Sequence, residues 1–207
     1  MPNSLFKHDP VFHNAVHEFD LDELSPHPNY FNYMLRAIAF QQVSGIAGAT
    51  IHGRFLKRFP EEKPTPQDVL DMPFEDFREA GLSGQKSTYM QNISRFWLEN
   101  QVTDEMLDDM LNVDLINFLT QIKGVGKWTA EMLMIFGMCR KDVFPLEDLV
   151  VQQGFAEIFD MKGVRLKELK RQMNIRAEQW EPNRSAAARL IWMYMDFKEN
   201  GQTKGEV

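Results

Sequence analysis

One cysteine in 207 residues, Cys139, leaves no partner for an internal disulfide and too few thiolates for a four-cysteine iron–sulfur cluster. Nor is there an excess of cations: 23 Lys and Arg stand against 30 Asp and Glu, a formal charge of −7. General polyanion binding draws its affinity from neutralised phosphates and is therefore disfavoured. Recognition through backbone dipoles and a few local cations is not. No apolar run is long enough to cross a bilayer, and residues 1–9 lack the apolar stretch of a signal peptide, so a soluble, intracellular protein with no membrane partner is expected. His8, His13 and His17 recur at near-helical spacing, but no carboxylate or cysteine completes a recognisable metal-ligand set around them, and they read as surface or half-buried side chains. No cofactor and no catalytic metal are expected.

Strand-like alternation, internal repeats and low-complexity tracts are also missing, and what remains is helical periodicity. Phe31, Leu35, Ile38 and Ala39 form one stripe of a helix that gives way to Gln41-Gln42-Val43-Ser44, after which Gly45, Ala47, Gly48 and Ala49 allow close helix packing. Thr65 and Thr103 are placed to cap short helices. A glycine turn, GLSGQK (81–86), precedes a helix expected over 87–99, and Lys86 there serves either the fold or a phosphate. A further helix is expected over 149–159, another over 166–173, and Pro182 introduces a last one with Ala187, Ile191 and Met195 turned inward. The fold class is all-α.

The stretch 120–148 organises the rest. Val113, Ile116 and Leu119 suggest one helical face before it, Gly124 and Gly126 permit a tight hairpin, and Ala130, Leu133, Met134 and Gly137 give the next helix a small, apolar face. Pro145 stops any continuation, and Asp148 follows at a helix start. Such a hairpin presents backbone N–H groups beside a helix N-terminus, a ready site for phosphate.

The runs IKGVGKWTA (122–130) and VFPLED (143–148) together resemble the helix-hairpin-helix motif and catalytic aspartate of the DNA glycosylase superfamily that carries it. The likeness is to the 3-methyladenine DNA glycosylase II, or alkylpurine, branch, and GLSGQK and the run WEPNRS (180–185) agree with it. The resemblance implies two helical lobes with the active site in the cleft between them: a central lobe over 29–138, and a second built from 1–28 plus 139–207. It begins so early in the chain that a minimal, two-lobed version is expected. By the same resemblance the partner is double-stranded DNA containing damaged bases, the protein is a monomer, and it works at the nucleoid of a bacterium or in the nucleus of a eukaryote.

The site residues follow from that likeness. Asp148 is the catalytic carboxylate, and adjacent Glu147 is left to solvent or structure. Trp128 and Met132 line the base pocket, with Tyr30 and Phe31 from the other lobe; relatives often carry an aromatic residue where Met132 stands. Gln41, Gln42 and Ser44 approach the minor groove, Gln42 as the wedge, while Gly124, Val125, Gly126, Lys127 and Thr129 grip phosphate. Backbone carbonyls of Thr120, Ile122 and Val125 would hold a monovalent cation. Each assignment has a structural counterpart: Trp128 as a tryptophan between helices, the glutamines as a solvent-facing helix end, Asp148 as an N-cap. Bifunctional relatives carry lysine where Trp128 stands, and Lys127 projects about 100° away from that direction. The activity expected is monofunctional, flipping and excising alkylated purines and leaving an abasic site; the alternative is a noncatalytic damage-recognising DNA-binding protein of the same fold.

Overall fold

The computed structural model describes residues 5–201, and among them every regular element is helical. The elements are α1 (Pro10–Val16), α2 (Tyr30–Phe40), α3 (Gly45–Leu56), α4 (Pro66–Asp71), α5 (Phe74–Glu79), α6 (Gly84–Glu99), α7 (Asp104–Asp108), α8 (Asn112–Leu119), α9 (Lys127–Met132), α10 (Leu149–Ile158), α11 (Leu166–Glu178) and α12 (Arg184–Asn200). The chain divides into two compact units, with the breaks between Ser25 and Pro26 and between Met138 and Cys139. No helix among the described residues is long and apolar enough to cross a membrane.

In the central unit α2 is the hub. Its stripe of Phe31, Leu35, Ile38 and Ala39 is fully buried, as its periodicity predicts, with α6 and α3 packed against it. Side chains of opposite sign hold its two ends. Asp104, the first residue of α7, accepts from the Tyr30 N–H at 3.2 Å, and Lys86 donates its Nζ to the Ala39 carbonyl at 2.8 Å. An anion at the N-terminus and a cation at the C-terminus both complement the helix dipole. Burial pushes the Asp104 carboxyl up and the Lys86 amine down from their ordinary values. Lys86 thus serves the fold. Ser83 caps α6 through the Lys86 N–H, so this helix starts at Gly84, three residues before the start expected from the glycine turn. Thr65 closes a full capping box with Asp68, and Thr103 caps α7.

On α3, His52 is half-buried, and this partial burial, reinforced by the positive charges of Arg36 and His27, pushes its pKa down to about 4. The unfolded chain, titrating near the ordinary 6.5, therefore binds a proton that the folded chain refuses between those values. Stability conferred by neutral His52 is fully present above about pH 6.5 and is lost as the pH falls towards 4. At about 1.36 kcal/mol per pH unit, halved for a ring still in part exposed to solvent, the loss is about 1.5 kcal/mol. Urea unfolding at pH 7 and pH 4.5 should show that drop in the wild type and a flatter profile in His52→Leu. Asp104, raised rather than lowered, acts in the opposite sense and is common to both proteins.

The other unit joins the two ends of the sequence. Asp9 caps α1 through the Phe12 N–H and also accepts from the Trp180 indole at 3.1 Å and from Arg176 at 3.2 Å. Trp180 is enclosed by Phe6, Phe12, Phe144, Phe155 and Phe159, so residues near the start complete a core built mostly after position 139. Arg184 forks onto both oxygens of Asp142 at 2.7 Å. α10 and α12 meet at Gly154, where a Cβ would lie 2.4 Å from Ile191.

Three expectations need correction. The buried face of α8 is Leu115 and Leu119, an i, i+4 pair, while Val113 is exposed and Ile116 only half-buried at its edge. α11 runs on to Glu178, with Met173 and Ala177 extending its buried stripe. Past Met132 the chain winds as a π turn, Leu133–Gly137, closed by the Met138 N–H on the Leu133 carbonyl at 2.8 Å. Such turns occur often at functional sites.

Candidate active site

In the unit that contains it, Asp148 is the N-cap of α10 and is 8% exposed. Pro145 and Leu146 form the turn before it, and the Asp148 N–H returns to the Pro145 carbonyl at 3.0 Å. Its Oδ1 accepts from the Val151 N–H at 2.8 Å and from the Trp192 indole Nε1 at 3.1 Å. The helix end and the indole thus hold the carboxylate in one orientation. Glu147, its neighbour, is exposed and pairs with Lys170. Leu149 is 70% exposed, an apolar side chain on the surface next to the buried acid.

Trp192 is the site residue that sequence reasoning missed. It belongs to the run after Pro182 whose inward positions read as Ala187, Ile191 and Met195, and its own contact spans 44 residues. The close approach at Gly154 sets the register of α12: with Ile191 seated there, the next residue faces the start of α10.

In the central unit the hairpin is built as its glycines require. Gly124 has φ +108°, a conformation that side chains resist, and the Tyr89 ring lies directly over it. The Val125 N–H closes the turn on the Ile122 carbonyl at 3.0 Å, and Gly126 is the N-cap of α9. Gln41 reaches the Gly124 carbonyl at 3.5 Å and Thr129 Oγ1 at 3.4 Å, while Asn92 donates to the Lys123 carbonyl at 3.0 Å. The glutamine turn and the hairpin are therefore braced together. Gln42, exposed and at φ +55°, forms the tip between α2 and α3, and Ser44 spends its hydroxyl on capping α3 through the Ala47 N–H. Gly45 and Ala49 are exposed; of the small residues here only Gly48 makes the close approach, against the Phe40 ring.

Trp128 is 41% exposed in the first turn of α9, so it is a surface aromatic rather than a core tryptophan. Met132, one turn on, is buried, and its carbonyl accepts from the Tyr33 hydroxyl at 3.1 Å. Lys127 lies 3.6 Å from the buried Glu131 carboxylate one turn ahead, and Thr129 and Val125 are buried supports of the hairpin rather than surface groups. Tyr30 and Phe31 do not present an open face for a base. The Tyr30 hydroxyl donates to Asp108 at 2.9 Å, and Phe31 packs on Trp97 with ring centroids 5.8 Å apart. Their place at the start of α2 commits both to fastening α7 and α6.

A helical hairpin with a left-handed glycine is thus followed in the chain by a short loop and a buried aspartate at a helix start. The sequence pattern of the HhH-GPD superfamily of base excision DNA repair proteins matches residues 35–182, and the chain belongs to that superfamily. It is 34% identical over 166 residues to DNA-3-methyladenine glycosylase 1 of Schizosaccharomyces pombe, covering 78% of this chain and 71% of the relative. A putative DNA-3-methyladenine glycosylase of Bacillus subtilis is 28% identical, and the chain spans 58% of its length. Among solved structures, the Schizosaccharomyces pombe 3-methyladenine DNA glycosylase in complex with abasic DNA superposes with a TM-score of 0.82 at 28% identity, covering 98% of this chain and 99% of that one. The DNA-3-methyladenine glycosidase of Bacillus halodurans gives 0.81 at 25% identity, with 97% and 92% covered.

Proposed function

We infer that the protein is a monofunctional alkylpurine DNA glycosylase that releases 3-methyladenine-type bases from duplex DNA and leaves an abasic site. The observation that carries this reading is the buried Asp148 carboxylate, held by the Val151 N–H and the Trp192 indole downstream of the glycine hairpin. Cleavage of the bond between base and deoxyribose develops positive charge on the sugar. A fixed carboxylate stabilises that charge and orients the attacking water; Trp192 acts as a positioning residue by keeping Asp148 in one orientation. An alkylated purine is already cationic, so it leaves without a general acid and stacks on the exposed face of Trp128. Reaching the bond requires the nucleotide to leave the duplex, and Gln42, at the tip of the braced turn, fills the gap. The N–H groups of the hairpin and Lys127 hold the backbone phosphates. The carbonyls of Thr120, Ile122 and Val125 suit a monovalent cation in chemistry, since backbone oxygens are hard ligands and the Ile122 oxygen keeps a second lone pair after accepting from Val125. When bound, the ion would add positive charge beside a phosphate. The protein is proposed to act as a monomer at the nucleoid or in the nucleus.

Schiff-base chemistry needs a pocket lysine, and tryptophan stands at position 128. Incubation with methylated duplex DNA is therefore expected to release 3-methyladenine and leave the strand intact, with no adduct trapped by borohydride. A covalent adduct would overturn the monofunctional assignment, and the absence of any released base would overturn the glycosylase reading itself.

A further inference from the structure

No large apolar side chain among the described residues is more exposed than Ile46, at 84%, in the first turn of α3, and Val43 just before that helix is exposed as well. One exposed isoleucine is ordinary on a protein surface, but this one is held in place. Ser44 caps α3 through the Ala47 N–H, Gly48 seats the helix on the Phe40 ring, and Gln41 ties the preceding turn to the Gly124 carbonyl and to Thr129. Ile46 therefore stays in solvent, and a β-branched side chain on a helix keeps close to a single χ1 rotamer. Little conformational entropy remains to be lost when something covers it.

The pattern of charge indicates what covers it. No Asp or Glu occurs in 24–60, 80–98 or 115–130 of a chain that carries 30 of them, and these three stretches bring Gln42, Gln85 and Gly124 around one hollow of about 270 Å³. In a protein of charge −7, a face cleared of acids suits an anionic partner. Yet 37–53 holds no Lys or Arg either, so the tip between α2 and α3 offers phosphate no side-chain cation. A neutral tip on an acid-free face fits what lies between the phosphates of a duplex, the groove interior with its deoxyribose carbons and base edges. The tip is also two-sided: Gln42 lines the polar hollow, whereas Val43 and Ile46 do not. We propose that Ile46, with Val43, is the apolar half of the wedge, packing on the sugar carbons and base face laid open when the damaged nucleotide leaves the stack, while Gln42 meets the polar edges. This rests on the reading of the glutamine turn as the part that enters the minor groove. Isoleucine is among the side chains that part base steps from that groove. A closed stack presents Ile46 with no such surface, so the contact favours damaged over intact DNA.

The test is fluorescence anisotropy of the full-length protein on matched abasic-site and undamaged duplexes, each over a range of salt. Ile46→Ala is expected to weaken abasic binding by about tenfold, to leave undamaged binding within about twofold, and to keep the wild-type salt slope, because no phosphate contact is lost. Ile46→Leu should restore most of the affinity. Leu111→Ala, which trims another exposed apolar side chain of the same unit, should bind both duplexes as the wild type does. Urea midpoints of all three variants should match wild type, since both side chains lie in solvent. An Ile46→Ala protein that unfolds early would make the residue a structural one and overturn the proposal. Full preference for the abasic duplex in Ile46→Ala, or a shallower salt slope in that variant, would overturn it as well while leaving the glutamine turn's role intact. Wild-type protein that binds the two duplexes equally would overturn the groove-entering turn and this inference together.

Discussion

Asp148→Asn is expected to slow base release by about a thousandfold while leaving affinity for abasic-site DNA within a few-fold of wild type. The argument separates what the residue does for the fold from what it does for the reaction. As a cap, Asp148 supplies one oxygen to the Val151 N–H and the Trp192 indole, and asparagine offers an oxygen of the same geometry. Asparagine is as good an N-cap as aspartate, so the change in stability should stay within about 1 kcal/mol. What asparagine lacks is the negative charge that an oxocarbenium-like transition state requires. Electrostatic groups aimed at developing charge are worth two to three orders of magnitude, about 3–4 kcal/mol of barrier, and a buried carboxylate is less screened than an exposed one. Single-turnover release from methylated DNA, read beside an abasic-DNA titration and a urea melt, checks all three statements. Release by the variant within about tenfold of wild type would remove Asp148 from the chemistry. If the protein were instead a noncatalytic recogniser of damage, neither form would release a base and both would bind alike.

How far the sequence revealed this arrangement depends on the range of the interaction concerned. The buried stripe of α2, the caps at Thr65 and Thr103, the glycine hairpin and the capping position of Asp148 are all local, decided within a few residues, and each follows from periodicity or from backbone freedom. Long-range partners were not legible in that way. Trp192 reaches Asp148 only because α10 and α12 approach closely at Gly154, and a lone glycine inside a helix does not name the side chain it will meet. Lys86 left two uses open until the Ala39 carbonyl was found beside its amine. Tyr30 and Phe31 looked available because aromatic residues at the start of a helix suit a pocket equally well; their commitment to Asp108 and Trp97 lies some 65 to 80 residues away in the chain. The π turn after Met132 has no residue signature, since the Leu133, Met134 and Gly137 pattern is compatible with either winding.

The hairpin offers the second large effect, because its two glycines differ in what they tolerate. Gly124→Ala should cost about 3–5 kcal/mol of stability, the sum of a backbone angle that side chains resist and an overpacked contact. At φ +108° the new methyl would sit 2.2 Å from Tyr89 Cγ, so either the ring must leave or the turn must open. Opening the turn also displaces the Gly124 carbonyl from Gln41, and with it the brace between the hairpin and the glutamine turn. DNA affinity should therefore fall by about a hundredfold, the equivalent of some 2.7 kcal/mol, even in the fraction that remains folded. Gly126→Ala separates the two contributions. That glycine is at φ −94°, a methyl there meets nothing within 4 Å, and an alanine at the N-cap costs at most about 1 kcal/mol. Its fold should survive while its binding weakens, since the added carbon stands where the backbone must approach phosphate. Urea midpoints for both variants, with fluorescence anisotropy on an abasic duplex, decide the matter. A Gly124→Ala protein as stable and as tightly bound as wild type would mean that neither the left-handed turn nor its seat on Tyr89 is needed to present the hairpin to DNA.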